Sequence, residues 1–223
     1  MTPFRPLLAA VAIMFLSVPA GAEETTYALP PPASEAAQAG DTAVLAGGCF
    51  WGMQGVFQHV KGVRSVLAGY AGGNAATAHY EEVGTGTTGH TESVQIRFDP
   101  NLISYGEILR IYFSVMDPTT RNAQDPDVGT QYRSEIFAVN DAQRRIAQAY
   151  IAQLTKAHSF GALIVTQVGN FTGFYAAEGY HQDYLIRHPD QPYIVFNDLP
   201  KIAKLKSLYP KDYVDRAVTV ARR

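Results

Sequence analysis

The sequence predicts an α+β protein: a two-layer α/β sandwich with a ferredoxin-like, split βαβ core and an irregular C-terminal extension over residues 170–210. Segments with the two-residue alternation of strands and segments with helical spacing of apolar residues follow one another in the order βαββαβ. Over 223 residues the composition is 47% hydrophobic and 17% charged, which is enough to bury one core. One folded domain is therefore expected.

The first half of this domain contains one predicted helix and three predicted strands. Apolar side chains recur at helical spacing over residues 50–60, and strands are predicted on either side, over residues 42–46 and 63–71. A third strand, over residues 92–98, alternates polar side chains with the apolar residues Val94, Ile96 and Phe98. This alternation predicts that one face of the third strand is buried.

The second half begins with a strong helix signal. Ser104 followed by Glu107 is a capping box, and the apolar stripe after it predicts a second long helix. We further predict a strand over residues 132–139, a helix over 141–158 and a strand over 162–168.

The N-terminus differs in composition from the rest of the chain. Residues 1–22 combine Arg5, an apolar run and the small residues Ala20-Gly-Ala22, which predicts a signal peptide cleaved after Ala22. The apolar run is shorter than the roughly 20 residues that span a bilayer, so an uncleaved anchor is the less favoured alternative. A flexible linker is predicted over residues 23–41, followed by the catalytic domain, 42–223. We expect a periplasmic or otherwise exported protein without stable membrane association after cleavage.

Charge and cysteine content exclude several function classes. The net charge is −2, and no run of basic residues is longer than a pair such as the terminal Arg222-Arg223, so we expect no nucleic-acid partner. The chain has one cysteine, Cys49, which excludes an internal disulfide and a cysteine-rich zinc site. The six histidines form no HExxH pattern. We expect neither a metal nor a cofactor.

Cys49 lies in the motif Gly47-Gly-Cys-Phe-Trp-Gly52, between the first predicted strand and helix. The unpaired backbone N–H groups at the start of a helix favour an anion, which predicts a lowered pKa and a reactive thiolate. An inert, buried thiol is the alternative that the position alone leaves open. Phe50 and Trp51 predict an apolar wall beside the thiol, unless both are simply core residues.

Glu92 is in phase with the apolar positions of the third strand, so its carboxyl should point to the buried face. Burial raises the pKa of a carboxyl and makes it a general acid near neutral pH. A solvated Glu92 at a frayed strand end is the alternative.

Four further residues stand in polar, aromatic segments whose length indicates functional loops. Tyr80 and Tyr132 are candidate hydroxyl donors, or ordinary half-buried tyrosines. Asp127 is a candidate to orient a substrate amide or to cap a turn. His181 is a candidate base or a surface residue of a helix.

Taken together, six segments closely resemble the A-class peptide methionine sulfoxide reductases, from about Val44 to about Pro192: Gly47–Gly52, Tyr80-Glu-Glu-Val83, Thr88-Gly-His-Thr-Glu92, Asp117-Pro-Thr-Thr120, Asp127–Ser134 and Tyr180-His181. The resemblance implies a two-layer α/β sandwich and reduction of the S epimer of methionine sulfoxide, free or in proteins.

The resemblance also implies a role for each candidate residue. Cys49 would attack the sulfoxide sulfur and become a sulfenic acid, Glu92 would protonate the oxygen, and the two tyrosines, Tyr80 and Tyr132, would hydrogen-bond that oxygen. The substrate-binding residues would be Phe50 and Trp51 around the ε-methyl group, Asp127 near the acid or the substrate amide, and His181 in the pocket.

One departure from the family pattern concerns regeneration of the thiol. Many members carry resolving cysteines nearer the C-terminus, and relatives often have Cys where this chain has Gly84. With one cysteine, the sulfenic acid must be reduced by an external thiol: glutathione, a glutaredoxin or a thioredoxin-like protein. We expect a monomer that repairs oxidised methionine in exported proteins. The alternatives are a cysteine hydrolase and an exported, non-enzymatic binding protein.

Overall fold

A six-stranded sheet forms the centre of the protein, whose computed structural model describes residues 26–33 and 39–220. In chain order the strands are β1 (Thr42–Ala46), β2 (Val63–Ala71), β3 (Thr91–Phe98), β4 (Ala123–Gln124), β5 (Asp127–Val128), β6 (Glu135–Ala138), β7 (Gln167–Asn170) and β8 (Phe174–Ala176). The sheet order is β7-β6-β1-β3-β2-β8, and β4 and β5 form a separate ribbon. Neighbouring strands run antiparallel, apart from the parallel pair β6 and β7.

In the described part of the chain, six α-helices accompany the sheet: α1 (Phe50–Gln58), α2 (Tyr80–Val83), α3 (Tyr105–Val115), α4 (Asp141–Lys156), α5 (Tyr184–Arg187) and α6 (Leu199–Leu208). The predicted cap of α3 is confirmed, because the Ser104 hydroxyl accepts a hydrogen bond from the Glu107 N–H at 3.1 Å. A single π-helical turn, Ile194–Asp198, leads into α6. Among residues 26–33 and 39–220, none of the helices is long and apolar enough to cross a membrane.

The two faces of the sheet bury different sets of side chains. On one face, Val94, Ile96 and Phe98 of β3 are fully buried in a large cluster with residues of α1 and α3, as the alternation predicts. On the opposite face a smaller cluster surrounds Phe137 of β6. The result is a mixed α/β fold in which α1 packs directly against β2 and β3.

Two predicted strands begin later in the sequence than expected. The strand predicted over residues 132–139 begins only at Glu135, because a 3-10 turn, Thr130–Tyr132, precedes it and is closed by a bond from Tyr132 N–H to Gly129 O. The strand predicted over residues 162–168 is observed as β7, which begins at Gln167 because its partner β6 offers no pairing before Glu135.

The prediction of an irregular tail over residues 170–210 is wrong. That segment contains β8, α5, the π-helical turn and α6. Helix α6 has Pro200 in its first turn, where the absent N–H costs nothing, and it buries Leu205 completely. The tail packs on α1 and completes the core.

Residues 26–33, which we call the strap, lie within the segment predicted to be a linker. Leu29 is fully buried. Its carbonyl oxygen accepts from Arg110 Nε at 2.6 Å, and its N–H donates to the Tyr209 hydroxyl at 3.1 Å. The Tyr150 hydroxyl donates to Pro30 O at 2.8 Å. The strap thus connects α3, α4 and the end of α6. The predicted signal peptide lies outside the described residues, and the domain boundaries stay predictions.

Candidate active site

Cys49 is the N-cap residue of α1, at the end of a tight turn from β1. Gly48 permits this turn with a φ of +86°, and a Cβ there would lie 2.5 Å from the Cβ of Gln124. The first N–H groups of α1 are occupied: Phe50 N–H donates to Glu92 Oε2 at 2.9 Å, and Trp51 N–H bonds the thiol. The turn therefore brings the thiol and Glu92 to the same helix end.

The lowered pKa predicted for Cys49 is wrong for the resting site. Cys49 is only 8% exposed, and burial raises the pKa of its thiol well above the usual range. The negative charges of Glu92 and Asp198 raise it further, while the Trp51 N–H and Lys201 oppose the shift. Burial outweighs the helix end, so the resting Cys49 is a protonated thiol.

The prediction of a buried Glu92 with a raised pKa is confirmed. Its side chain is 4% exposed, and burial raises the pKa to about 8 despite the hydrogen bond from Phe50. The charges of Asp127 and Asp198 act in the same direction as burial. At neutral pH the carboxyl carries a proton that it can donate.

Tyr80 and Tyr132 lie close to both Cys49 and Glu92. Burial raises the pKa of Tyr80 to about 12 and also raises that of Tyr132, and the charges of Glu92 and Cys49 add to both shifts. Tyr80 opens α2, and Tyr132 ends the 3-10 turn before β6. Both phenols stay protonated at neutral pH and can donate hydrogen bonds.

His181 packs against the aromatic residues beside the thiol. Its ring centroid lies 5.0 Å from that of Phe50 and 4.4 Å from that of Tyr80, and the residue is 1% exposed, so the surface alternative is wrong. Trp51 Nε1–H donates to His181 Nδ1 at 3.1 Å. Nδ1 is therefore an acceptor, and the proton of the neutral ring resides on Nε2. Burial lowers the pKa of His181, which keeps the ring neutral.

Asp127 lies in the short ribbon strand β5 and is connected to Trp51 through Tyr193. Its carboxylate accepts a hydrogen bond from the Tyr193 hydroxyl, whose ring packs edge-on against Trp51 at 5.9 Å. Burial raises the pKa of Asp127. The eight residues that sequence reasoning selected are thus linked by direct contacts or by mutual electrostatic effects into one site. Within the described ranges, no group of three or more His, Cys, Asp or Glu side chains is arranged to hold a metal ion.

Comparison with known proteins agrees with this geometry. The family model described as "Peptide methionine sulfoxide reductase" matches residues 41–213. The chain belongs to this family. The peptide methionine sulfoxide reductase MsrA 2 of Mesorhizobium japonicum is 57% identical over 187 residues, covering 83% of this chain and 96% of the relative. The MsrA of Thermus thermophilus is 46% identical over 169 residues, covering 76% and 95%.

Solved structures show the same relationship. Reduced Mxr1 from Saccharomyces cerevisiae superposes with a TM-score of 0.61 at 31% identity, covering 71% of this chain and 91% of that protein. Methionine sulfoxide reductase A of Corynebacterium diphtheriae superposes with a TM-score of 0.59 at 29% identity, covering 76% and 87%. The mixed α/β fold of this reductase is the fold of its family.

Sequence reasoning missed several residues of the reductase site, because they belong to the tail predicted to be irregular. Tyr184 stacks on Trp51 with ring centroids 3.9 Å apart. Asp198 is fully buried, and Lys201 Nζ lies 3.1 Å from its Oδ1. In the sequence, only the three-residue spacing of Asp198 and Lys201 indicates that the two side chains could pair on a helix. This spacing is common and does not by itself indicate a functional site.

Glu178 positions Tyr80 in the reductase. Its Oε1 accepts from the Tyr80 backbone N–H at 3.0 Å, and its Oε2 accepts from the Tyr70 hydroxyl at 2.8 Å. A carboxylate at the start of α2 also complements the positive end of that helix. Tyr80 is therefore fixed through its backbone, which leaves its hydroxyl available at the site.

Proposed function

We propose that the reductase acts as a peptide-methionine (S)-S-oxide reductase, with Cys49 as nucleophile and Glu92 as general acid. The observation that carries this assignment is the buried carboxyl of Glu92, protonated near neutral pH and bonded to the N–H of Phe50, the residue next to Cys49. A sulfoxide oxygen bound between Glu92 and the phenols would be protonated as the thiol attacks the sulfur.

The step conserves atoms and electrons. The sulfur of Cys49 forms a bond to the sulfoxide sulfur, and the sulfoxide oxygen takes one proton from Glu92 and one from the thiol and leaves as water as the S–O bond breaks. Water then attacks the Cys49 sulfur: an S–O bond forms on Cys49, the S–S bond to the substrate breaks with its electron pair going to the methionine sulfur, and the proton released by the water returns to the Glu92 carboxylate. Cys49 ends as a sulfenic acid, oxidised by two electrons, and methionine is released with its sulfur reduced by two electrons.

The remaining site residues take binding roles in this proposal. The hydroxyls of Tyr80 and Tyr132 stabilise the oxygen as it gains negative charge. Phe50 and Trp51 surround the ε-methyl group, and the bond from Trp51 Nε1–H to His181 fixes the indole. Asp127 orients the acid site or the substrate amide. Since His181 Nδ1 accepts from Trp51, the Cys–His pair of a cysteine hydrolase receives no support.

Regeneration of Cys49 uses an external thiol, because the chain has a single cysteine. The first thiol attacks the sulfenic acid, forming a mixed disulfide and releasing water. A second thiol then attacks the mixed disulfide and restores the Cys49 thiol, leaving the external donor oxidised to a disulfide. A thioredoxin-like protein, a glutaredoxin and glutathione fit this chemistry.

Cellular setting and finer classification belong to the same proposal. Cleavage of residues 1–22 would place a monomeric enzyme in the periplasm or another exported location, where it repairs oxidised methionine in exported proteins.

The antiparallel strand order β6-β1-β3-β2 supports the ferredoxin-like classification of the core.

A single-turnover experiment tests the function. The mature protein is mixed with methionine S-sulfoxide without reductant, and the expected result is one equivalent of methionine and a dimedone-reactive Cys49. The R epimer serves as the control and should give no burst. Absence of methionine from the S epimer would contradict the proposal. Repeating the burst with glutathione, a glutaredoxin and a thioredoxin identifies the donor that restores turnover.

A further inference from the structure

A buried ion pair at the start of α6, between Asp198 and Lys201, lies against the first turn of α1, the turn that follows Cys49. Asp198 is fully buried, and Lys201, one turn later, has a side chain only 13% exposed. Nζ of Lys201 lies 3.1 Å from Asp198 Oδ1, whereas Oδ2 is buried with no hydrogen-bond partner. A buried charged pair is costly to desolvate, which calls for an explanation of its position.

Gly52, in the first turn of α1, provides the space that the pair occupies. A Cβ at this position would overlap Oδ1 of Asp198 and would lie 3.1 Å from Lys201 Nζ. The absence of a side chain at Gly52 therefore lets both charged groups touch the helix three residues after Cys49. Glycine is less favourable in a helix than alanine, so this close approach has a cost.

Lys201 acts on several acidic groups of the site at once. Its positive charge lowers the pKa of Cys49, Asp127 and Asp198, against the effect of burial on each. The groups that oppose it at the thiol are Glu92 from β3 and Asp198 itself. The phenols of Tyr80, Tyr132 and Tyr193 also interact electrostatically with Cys49, and their raised pKa values keep them neutral near pH 7.

We propose that the Asp198–Lys201 pair is a positioning pair that sets the reactivity of Cys49: Lys201 supplies positive charge beside the thiolate, and Asp198 anchors it while offsetting part of that charge. The inference rests on the function proposed above and extends it to α6. In a one-cysteine enzyme the same thiol must attack the substrate and later leave a mixed disulfide, so its proton affinity governs both steps.

The test is the pH dependence of Cys49 alkylation by iodoacetamide, measured by mass spectrometry on the full mature chain. Lys201→Met should raise the midpoint by about 0.5 to 1 pH unit, which at a fixed pH below it is a three- to tenfold slower reaction. Asp198→Asn should lower the midpoint, because it removes a negative charge and leaves Lys201 in place. Lys201→Arg should stay near the wild-type midpoint.

Opposite shifts of the alkylation midpoint in Lys201→Met and Asp198→Asn indicate an effect of charge. If the substitutions merely loosened the packing of α6, the midpoint would move in the same direction in both variants. The matched control is Lys206→Met on the same helix, whose exposed partner Asp215 lies 3.0 Å away, and no shift is expected. Shifts of the same sign, or shifts no larger than in the control, would overturn the proposal. Should Lys201→Met not fold, an unchanged or raised midpoint in Asp198→Asn overturns it equally. Alkylation needs no substrate, so the wild-type methionine burst tests the function separately.

Discussion

The carboxyl of Glu92 accepts a hydrogen bond from the backbone N–H of Phe50 at 2.9 Å, which joins the buried face of β3 to the first turn of α1. This contact depends on the two-residue period of β3 and on the helix beginning directly after Cys49. The bond stabilises the charged form of Glu92, but burial dominates and the pKa is about 8. The helix end therefore holds an acid beside a thiol, not a thiolate alone.

The first prediction concerns the acid. Glu92→Gln keeps an oxygen for the Phe50 N–H but removes the proton donor, so we expect the methionine burst to slow by roughly 10²- to 10⁴-fold. The substrate dissociation constant should change little, because the shape of the site is retained. Stopped-flow or quench measurements of the burst over a range of sulfoxide concentrations separate the two effects.

Glu82→Gln is the control for this substitution, since Glu82 is exposed on α2 and should leave the burst unchanged. Equal burst rates in Glu92→Gln and wild type would remove Glu92 from the acid role.

The second prediction follows from the same raised pKa and concerns stability. Between about pH 4.5, the ordinary value, and about pH 8, the folded state keeps the Glu92 proton that the unfolded state has lost. The folded state binds more protons in this window, so the free energy of unfolding falls as the pH rises through it. Glu92→Gln removes the contribution of this proton to the pH dependence of the free energy of unfolding.

Urea unfolding of both proteins at pH 5 and pH 9 measures the difference. At pH 9 we expect Glu92→Gln to be more stable than wild type by about 1 to 3 kcal/mol. At pH 5 the two proteins should be nearly equal. A constant difference at both pH values would contradict a buried, neutral Glu92.

The third prediction concerns the two phenols. Tyr80→Phe and Tyr132→Phe each remove one donor to the developing oxygen charge, so each should slow the burst by about 10- to 1,000-fold. The double variant should lose less than the product of the two effects, because both hydroxyls serve one oxygen. Tyr175→Phe on β8 is the control. Full activity of the double variant would exclude both hydroxyls from the reaction.

The fourth prediction uses the only tryptophan of the chain, Trp51. Its indole contacts His181 and Tyr184 next to the thiol, so its fluorescence reports on the site alone. We expect an intensity change on adding methionine S-sulfoxide at the rate of the burst. In Glu92→Gln the change should be slowed to the same extent as the burst. A change with identical kinetics in both proteins would mean that fluorescence follows binding, not chemistry.

The parts of the site that the sequence predicts correctly depend on local patterns. Strand alternation places Glu92 in the core, and a strand, a glycine turn and a helix place Cys49 at a helix end. These relationships act over a few residues and need no knowledge of the fold. The first two strands are observed with the predicted bounds, Thr42–Ala46 and Val63–Ala71, for the same reason.

The parts that the sequence does not predict depend on distant contacts. The pKa of Cys49 is raised by burial and by the charges of Glu92 and Asp198, and Asp198 reaches Gly52 across 146 positions of sequence. Helix α6 has weak periodicity, and its stability comes from packing on α1 and α3. Local sequence patterns alone therefore predict an irregular tail, and they overestimate how far the helix end lowers the pKa of the Cys49 thiol.

The last prediction concerns the strap and its connection to α6. Leu29 is fully buried, and its N–H donates to the Tyr209 hydroxyl, which also lies 2.6 Å from the Ser114 hydroxyl of α3. Leu29→Ala creates a cavity there and should lower the free energy of unfolding by about 2 to 5 kcal/mol. The measurement is urea unfolding at pH 7.

The exposed strap residue Ala28 provides the control, and Ala28→Ser should unfold like wild type. If the strap acts only through stability, folded Leu29→Ala keeps the wild-type burst amplitude and alkylation midpoint. A shifted midpoint in folded Leu29→Ala would instead mean that the strap also fixes α6 against Cys49, because Tyr209 directly follows that helix and α6 carries Lys201. Either result separates the anchoring of α6 from the charge that α6 brings to the thiol.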